Sequence, residues 1–174
     1  MVAQKRLPLT GPAMVFVTTT VHKWTPIFAQ DKYARLMVAQ LNETLSHYRV
    51  SMCAYVLMPS HLHALLGFPE IGRLSQVMKM IKGLSARRLR PLLTPELATA
   101  FESNGRYLLW KRRFDDVIIW SEKQFRTKAE YIHNNPVRAG LVQHSNDYKY
   151  SSAGDWLLDN PGLIHVNKTW KWQR

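Results

Sequence analysis

The sequence predicts an α+β fold: a single domain over residues 1–174, with helices packed on one face of a mainly antiparallel sheet. Three observations predict it. Short β-branched or apolar runs alternate with longer runs of three-to-four periodicity, in the order β-α-β-β-α-β-α. Two of the strands are separated only by Pro59 and Ser60, a connection short enough to demand antiparallel pairing. Finally, 174 residues with 46% apolar and 11% aromatic content can build one core, which at this length removes about 70% of the unfolded chain's surface from water.

Each element has its own warrant. Residues 14–21, MVFVTTTV, are β-branched and apolar and read as a strand that ends before Pro26. Asp31 is placed to cap a helix over residues 32–48, where Leu36, Met37, Leu41, Thr44, Leu45 and Tyr48 share one face. Residues 50–58 and 62–68 are apolar on both faces, which predicts two central strands. A second helix is expected over residues 73–90, with Leu74, Val77, Met78, Ile81 and Leu84 inward; Arg88 falls on that apolar side, as though the helix frays there. Residues 91–104 form a Pro-interrupted insertion with a short helix after Thr94. Strand material at residues 107–110 and 114–120 flanks the basic triplet Lys111, Arg112, Arg113. Ser121 can cap a third helix, and Pro136 is expected to end it near Asn134. A short helical pattern at residues 153–158 precedes a basic, Trp-rich tail from about residue 160.

Composition bounds the function. Lys and Arg number 24 against 12 Asp and Glu, a formal charge of +12. A domain so basic repels itself unless it meets a polyanion, which makes nucleic acid the first partner to consider; a solvated basic surface, or a ribosomal-type protein using cations as glue, is the plainer alternative. Cys53 is the single cysteine, so neither an intrachain disulfide nor a thiolate zinc knuckle can form. No apolar run approaches the 18 or so residues of a spanning helix. Lys5 and Arg6 are not followed by an apolar leader segment and cleavage site. The expectation is a cytoplasmic, nucleoid-associated protein with no membrane partner.

His61 and His63 are separated by Leu62, so on a strand both imidazoles leave the same face and offer two nitrogen ligands to one divalent ion. A hydrogen-bonded structural pair is the alternative. On the third helix Tyr131 and Asn135 are one turn apart and side by side. Tyr131 could simply anchor the helix at the rim of the core, and Asn135 before Pro136 could simply be a helix stop. His133, two residues after Tyr131, points away from it and reads as structural.

The segments YVLMPSHLH at residues 55–63 and YIHNNPVRAGLV at residues 131–142 closely resemble the two signatures of the single-tyrosine HUH transposases, in particular the REP-associated tyrosine transposases. PIF at residues 26–28, LWKRRF at 109–114 and DYKYSS at 147–152 extend the resemblance over residues 14–158. It implies a ferredoxin-like, HUH-nuclease type of fold and an enzyme that cuts and rejoins single-stranded, hairpin-forming DNA such as palindromic REP elements. By the same resemblance His61, His63 and Asn135 would hold Mg²⁺ or Mn²⁺, while Tyr131 would attack the phosphate to give a 5′-phosphotyrosine and a free 3′-hydroxyl. A free phenol is almost wholly protonated at pH 7, so such a nucleophile needs nearby positive charge or a metal. REP-associated members imply a monomer, although related insertion-sequence enzymes dimerise by exchanging helices.

For binding the DNA, the candidates are Lys79, Lys82, Arg87 and Arg90, then Lys111, Arg112 and Arg113 beside Trp110, which would neutralise phosphates and stack unpaired bases. The family more often carries Gln-Gly at positions 111 and 112, so base contacts there do not follow from the resemblance. The tail, with Trp170 and Trp172, is a candidate to dock over the active site or on DNA. Two other readings stay open: a sequence-specific hairpin binder without chemistry, and an RNA- or ribosome-associated basic domain.

Overall fold

β1 (Ala13–Thr20) forms over the β-branched run and leads through two 3-10 turns flanking Pro26 into α1 (Asp31–Tyr48). β2 (Ser51–Met58) and β3 (His61–Phe68) follow, then α2 (Leu74–Leu89) and α3 (Pro95–Ala100), the latter capped by the Thr94 hydroxyl. A two-residue-per-strand hairpin, β4 (Glu102–Ser103) and β5 (Arg106–Tyr107), precedes β6 (Asp115–Ile119). The chain ends with α4 (Glu122–Arg138), α5 (Ala153–Leu158) and an extended tail. The computed structural model describes residues 10–171, so Lys5, Arg6 and Trp172 lie outside the described residues.

The main sheet is antiparallel with strand order β2-β3-β1-β6. β3 thus lies between the two strands that α1 connects, the interleaving of β-α-β units seen in ferredoxin-like domains. Side-chain alternation divides the core in two. Val15, Val17, Leu62, Ala64, Leu66 and Phe68 face α1 and α2. Met14, Phe16, Val56 and Leu65 face Phe125, Ala129 and Ile132 of α4. Helices therefore cover both faces of the sheet, not one as expected, because strands apolar on both sides need cover on both sides.

Other sequence expectations change for specific reasons. β2 is the end strand of the four, yet all but its first residue are buried. Its outer edge is sealed by the DYKYSS segment and the tail: Leu57 N–H donates to the Tyr150 carbonyl at 2.8 Å, Ser152 N–H to that of Tyr55 at 3.0 Å, and Asn167 N–H to that of Met52 at 2.7 Å. An otherwise exposed sheet edge is closed by the chain itself. Arg88 marks no fraying; its guanidinium reaches Glu43 of α1 at 2.6 Å and bridges the two helices. Residues 107–110 give a single bridge between Trp110 and Val21 beyond β5. Pro136 does not end α4, which continues to Arg138. The proline forfeits one N–H bond, but its ring is buried, and the Leu141 N–H closes on its carbonyl at 2.9 Å.

Asp31 caps nothing; it is the first residue of α1 and has a different task. Its carboxylate takes Arg35 at 2.5 Å, Lys149 at 2.5 Å and the Tyr150 hydroxyl, tying the helix start to the edge-sealing segment. The Arg35 hydrogen bond first, then those of Lys149 and Tyr150, hold its pKa well below the usual carboxylate range. A carboxyl depressed on folding stabilises above its unfolded pKa of about 3.9, and that stability is lost as pH falls toward the folded value. Asp31→Asn should therefore melt below the parent protein at pH 7, with the gap closing below about pH 4. A constant gap across this range in thermal melts would refute the assignment.

Candidate active site

The strand period and the helix period bring the two sequence motifs together. β3 starts immediately after the Pro59-Ser60 turn, so His61 and His63 occupy its first turn-proximal positions and leave by the α4 face. Their ring centroids are 4.8 Å apart. On α4 the Ser121 hydroxyl accepts the Gln124 N–H at 3.3 Å and sets the start of the helix. The buried stripe Phe125, Ala129, Ile132, Pro136 then fixes its rotation. Tyr131 stands at the border of that stripe, 38% exposed, with its ring 5.3 Å from that of His63 and 6.1 Å from that of Phe16. Two histidines and a phenol from segments far apart in sequence thus share one surface.

The imidazoles are suited to a metal. The Thr18 hydroxyl lies 2.7 Å from His63 Nδ1 and the Ser60 hydroxyl 3.3 Å from His61 Nδ1, which leaves Nε2 of each ring free to take a ligand. Burial lowers the pKa of His61; burial first, then His61 and Lys128, push that of His63 down to about 3. Both rings are therefore neutral at pH 7, the protonation state a ligand needs. Asn135 donates from Nδ2 to the Tyr131 carbonyl at 3.3 Å, so its Oδ1 remains open as a hard acceptor. Among the described residues no cluster of three or more His, Cys, Asp and Glu is placed to hold a metal.

Two cations lie near the Tyr131 ring. Lys128 Nζ lies 4.7 Å from the Phe16 ring centroid and 6.0 Å from that of Tyr131, and the Arg138 guanidinium is 5.9 Å from that of Tyr131. Neither residue follows from motif spacing alone. Their signal is helical: positions three before and seven after Tyr131 share its face, provided that the helix passes through Pro136. His133 is a structural residue, as its place on the helix implies: it is buried, with Nε2 2.9 Å from the Ser152 hydroxyl.

The candidate DNA-binding residues divide. Lys79, Arg87, Arg90, Lys111, Arg112 and Arg113 are exposed. Arg87 and Arg90 line an open cleft of about 810 Å³ together with Arg106 and Tyr107. Lys82 is half-buried, and its ammonium donates to the carbonyls of Lys111 at 2.7 Å and Arg112 at 2.9 Å. It is a clasp that joins α2 to the basic loop, not a free phosphate ligand. Trp110 is only 5% exposed; its indole N–H donates to the Ser85 hydroxyl at 2.9 Å and its ring lies 5.5 Å from that of Phe28. It cannot stack a base. Trp110→Ala should cost about 3–5 kcal/mol of stability, read by chemical denaturation, with DNA affinity of the folded protein within about twofold of the parent. A large affinity loss at unchanged stability would restore the surface role.

The described part of the tail, to Lys171, does not lie over the histidines. Ile164 and Val166 are buried, Lys168 donates to the Asp155 carbonyl at 2.5 Å, and Trp170 covers Gly67, where a Cβ would run into the indole. Gly67 is at the opposite end of β3 from His61. Among the described residues no helix is long and apolar enough to cross a membrane.

The chain is similar to known proteins over most of its length. A protein of Haemophilus influenzae described as a REP-associated tyrosine transposase is 27% identical over 151 residues, covering 84% of this chain and 83% of its own. The solved structure of a REP-associated tyrosine transposase bound to a REP hairpin superimposes with a TM-score of 0.72 at 20% identity, covering 100% of this chain and 98% of that one. A solved structure from Deinococcus radiodurans, described as a transposase, matches with a TM-score of 0.50 at 19% identity over 77% of this chain and 97% of that one. The family model described as Transposase IS200 like matches residues 14–135, most of the sheet together with the histidine pair, Tyr131 and Asn135. With that match the chain belongs to the IS200-like transposase family.

Proposed function

We propose that the protein is a metal-dependent endonuclease and strand transferase for single-stranded, hairpin-forming DNA, working through a 5′-phosphotyrosine. The observation that carries this reading is the placement of the Tyr131 ring 5.3 Å from that of His63, itself 4.8 Å from that of His61. The hairpin-bound relative supports DNA hairpins, REP-like palindromes among them, as the substrate class. His61 and His63, with Asn135, would hold Mg²⁺ or Mn²⁺. When bound, that ion supplies Lewis-acid polarisation of the scissile phosphate. Two imidazoles favour Mn²⁺ in affinity over Mg²⁺.

Tyr131 Oη forms the new bond to phosphorus and the bond from phosphorus to the 3′-oxygen breaks. The phenol proton is released, and the leaving strand ends as a 3′-hydroxyl. Lys128 and Arg138, which lie against the Tyr131 ring, offset the charge of the phosphoryl oxygens brought to it. Because the tyrosyl ester retains the free energy of the phosphodiester, a second 3′-hydroxyl can reverse the step without ATP. The histidine pair and Tyr131 meet within one chain, so the proposed site needs no residue from a second copy. The exposed cations of α2 and of the loop at residues 111–113, joined by Lys82, form one basic track for the strand. Incubating the protein with a labelled hairpin and Mn²⁺, then separating the products on a denaturing gel, tests the reading. A covalent adduct on the Tyr131 peptide supports it, and binding without any adduct overturns it.

A further inference from the structure

We propose that Trp24 and Lys111 form a nucleotide subsite beside the histidine pair, in which the indole stacks on an unpaired base and the ammonium meets that nucleotide's phosphate. The inference rests on the proposed DNA-cleaving function and adds to it the place where the strand is gripped. Trp24 is 55% exposed, with its ring 5.6 Å from that of His61. Lys111 Nζ sits 4.4 Å from the indole centroid. A base stacked here would belong to a nucleotide adjoining the phosphate at the histidines.

The backbone supports a role beyond packing. Lys23 and Trp24 have φ of 54° and 58°, two consecutive residues with side chains in the left-handed region, an arrangement that persists only where the surroundings over-determine it. They do so here. Trp24 N–H donates to the Val21 carbonyl at 3.0 Å, and Thr25 donates to His22 through both its N–H and its hydroxyl. The same turn is bonded to both neighbours of the site. Val21 N–H donates to the carbonyl of Ser60, the residue before His61, at 2.8 Å. His22 N–H donates to Leu109 and Lys111 N–H donates to Thr20, each at 2.8 Å. Indole, imidazole and ammonium are therefore positioned relative to one another before any strand arrives, and the strain is spent on holding a large apolar ring out of the core.

The present partner of the indole is an exchangeable one. An exposed cation–π contact is weak, whereas a base offers a wide flat face and its phosphate offers the ammonium a full opposite charge. Entry of a nucleotide replaces one weak contact with two stronger ones. Stacking tolerates any base, so this subsite positions the strand and leaves sequence reading to other contacts.

Anisotropy titrations with a fluorescein-labelled oligodeoxythymidylate, and with an abasic strand of the same length, test the subsite. Trp24→Ala should weaken thymidylate binding by about 5- to 100-fold and leave abasic binding within about twofold. Trp24→Phe should recover most of the loss. Lys111→Ala should weaken both strands and lower the slope of log affinity against log salt by about 0.7. Equal losses on both strands for Trp24→Ala, or no loss on thymidylate, overturn the proposal. The adduct assay separates it from the function on which it rests. A base-dependent loss with no adduct from the parent protein keeps the subsite and removes the cleavage; an adduct with no base-dependent loss does the reverse.

Discussion

Tyr131→Phe should reduce covalent adduct formation with a single-stranded hairpin by at least about 10⁴-fold, while DNA affinity stays within about twofold and the thermal midpoint within a few degrees. The expectation follows from how the side chain is held. Its contacts run through the ring, to Phe16, His63, Lys128 and Arg138, and the hydroxyl makes no hydrogen bond among the described residues. Phenylalanine keeps every one of these contacts and removes a single oxygen. The oxygen is thus unneeded for packing, and in the proposed reaction it is the nucleophile. Adduct surviving in the variant would mean that another side chain attacks the phosphate. A large drop in midpoint would mean that the hydroxyl is structural after all.

Local periods are read reliably: alternate residues of a strand share a face, so His61 and His63 form a pair, and residues four apart on a helix share a face, so Tyr131 and Asn135 do. The order of elements and the cap at Ser121 are equally local. What the sequence leaves open is which side of an element meets which neighbour. Trp24 and Trp110 both stand near basic residues, yet one is at the surface and the other in the core, because the bridge from Val21 to Trp110 turns the latter inward. Lys82 looks like its neighbours on the helical wheel, and only the return of the loop at residues 111–113 gives its ammonium two carbonyls. Pro136 ends a helix in isolation, but burial against the sheet carries α4 through it and so delivers Arg138 to the phenol. A rule based on one residue's propensity fails here because tertiary packing outweighs the loss of one hydrogen bond.

His63→Ala should abolish the response of cleavage to Mn²⁺, and Thr18→Val should raise the Mn²⁺ concentration for half-maximal rate by about 10- to 100-fold. The second variant is the sharper test. Thr18 is opposite His63 in the pairing of β1 with β3, and its hydroxyl oxygen lies 2.7 Å from Nδ1. If Nε2 is the ligating atom, Nδ1 carries the proton and donates it to that oxygen, which fixes both the tautomer and the ring plane. Valine keeps the shape and removes the acceptor, so the ring can turn and the neutral tautomers compete for Nε2. Saturating Mn²⁺ should then restore most of the rate, since no catalytic atom has been removed. Tyr131→Phe should leave Mn²⁺ binding, measured by calorimetry, where it was. If Thr18→Val instead lowers the rate at every Mn²⁺ concentration without moving the midpoint, His63 positions the phenol ring and does not bind the ion. In that case the ion must be sought elsewhere on this surface.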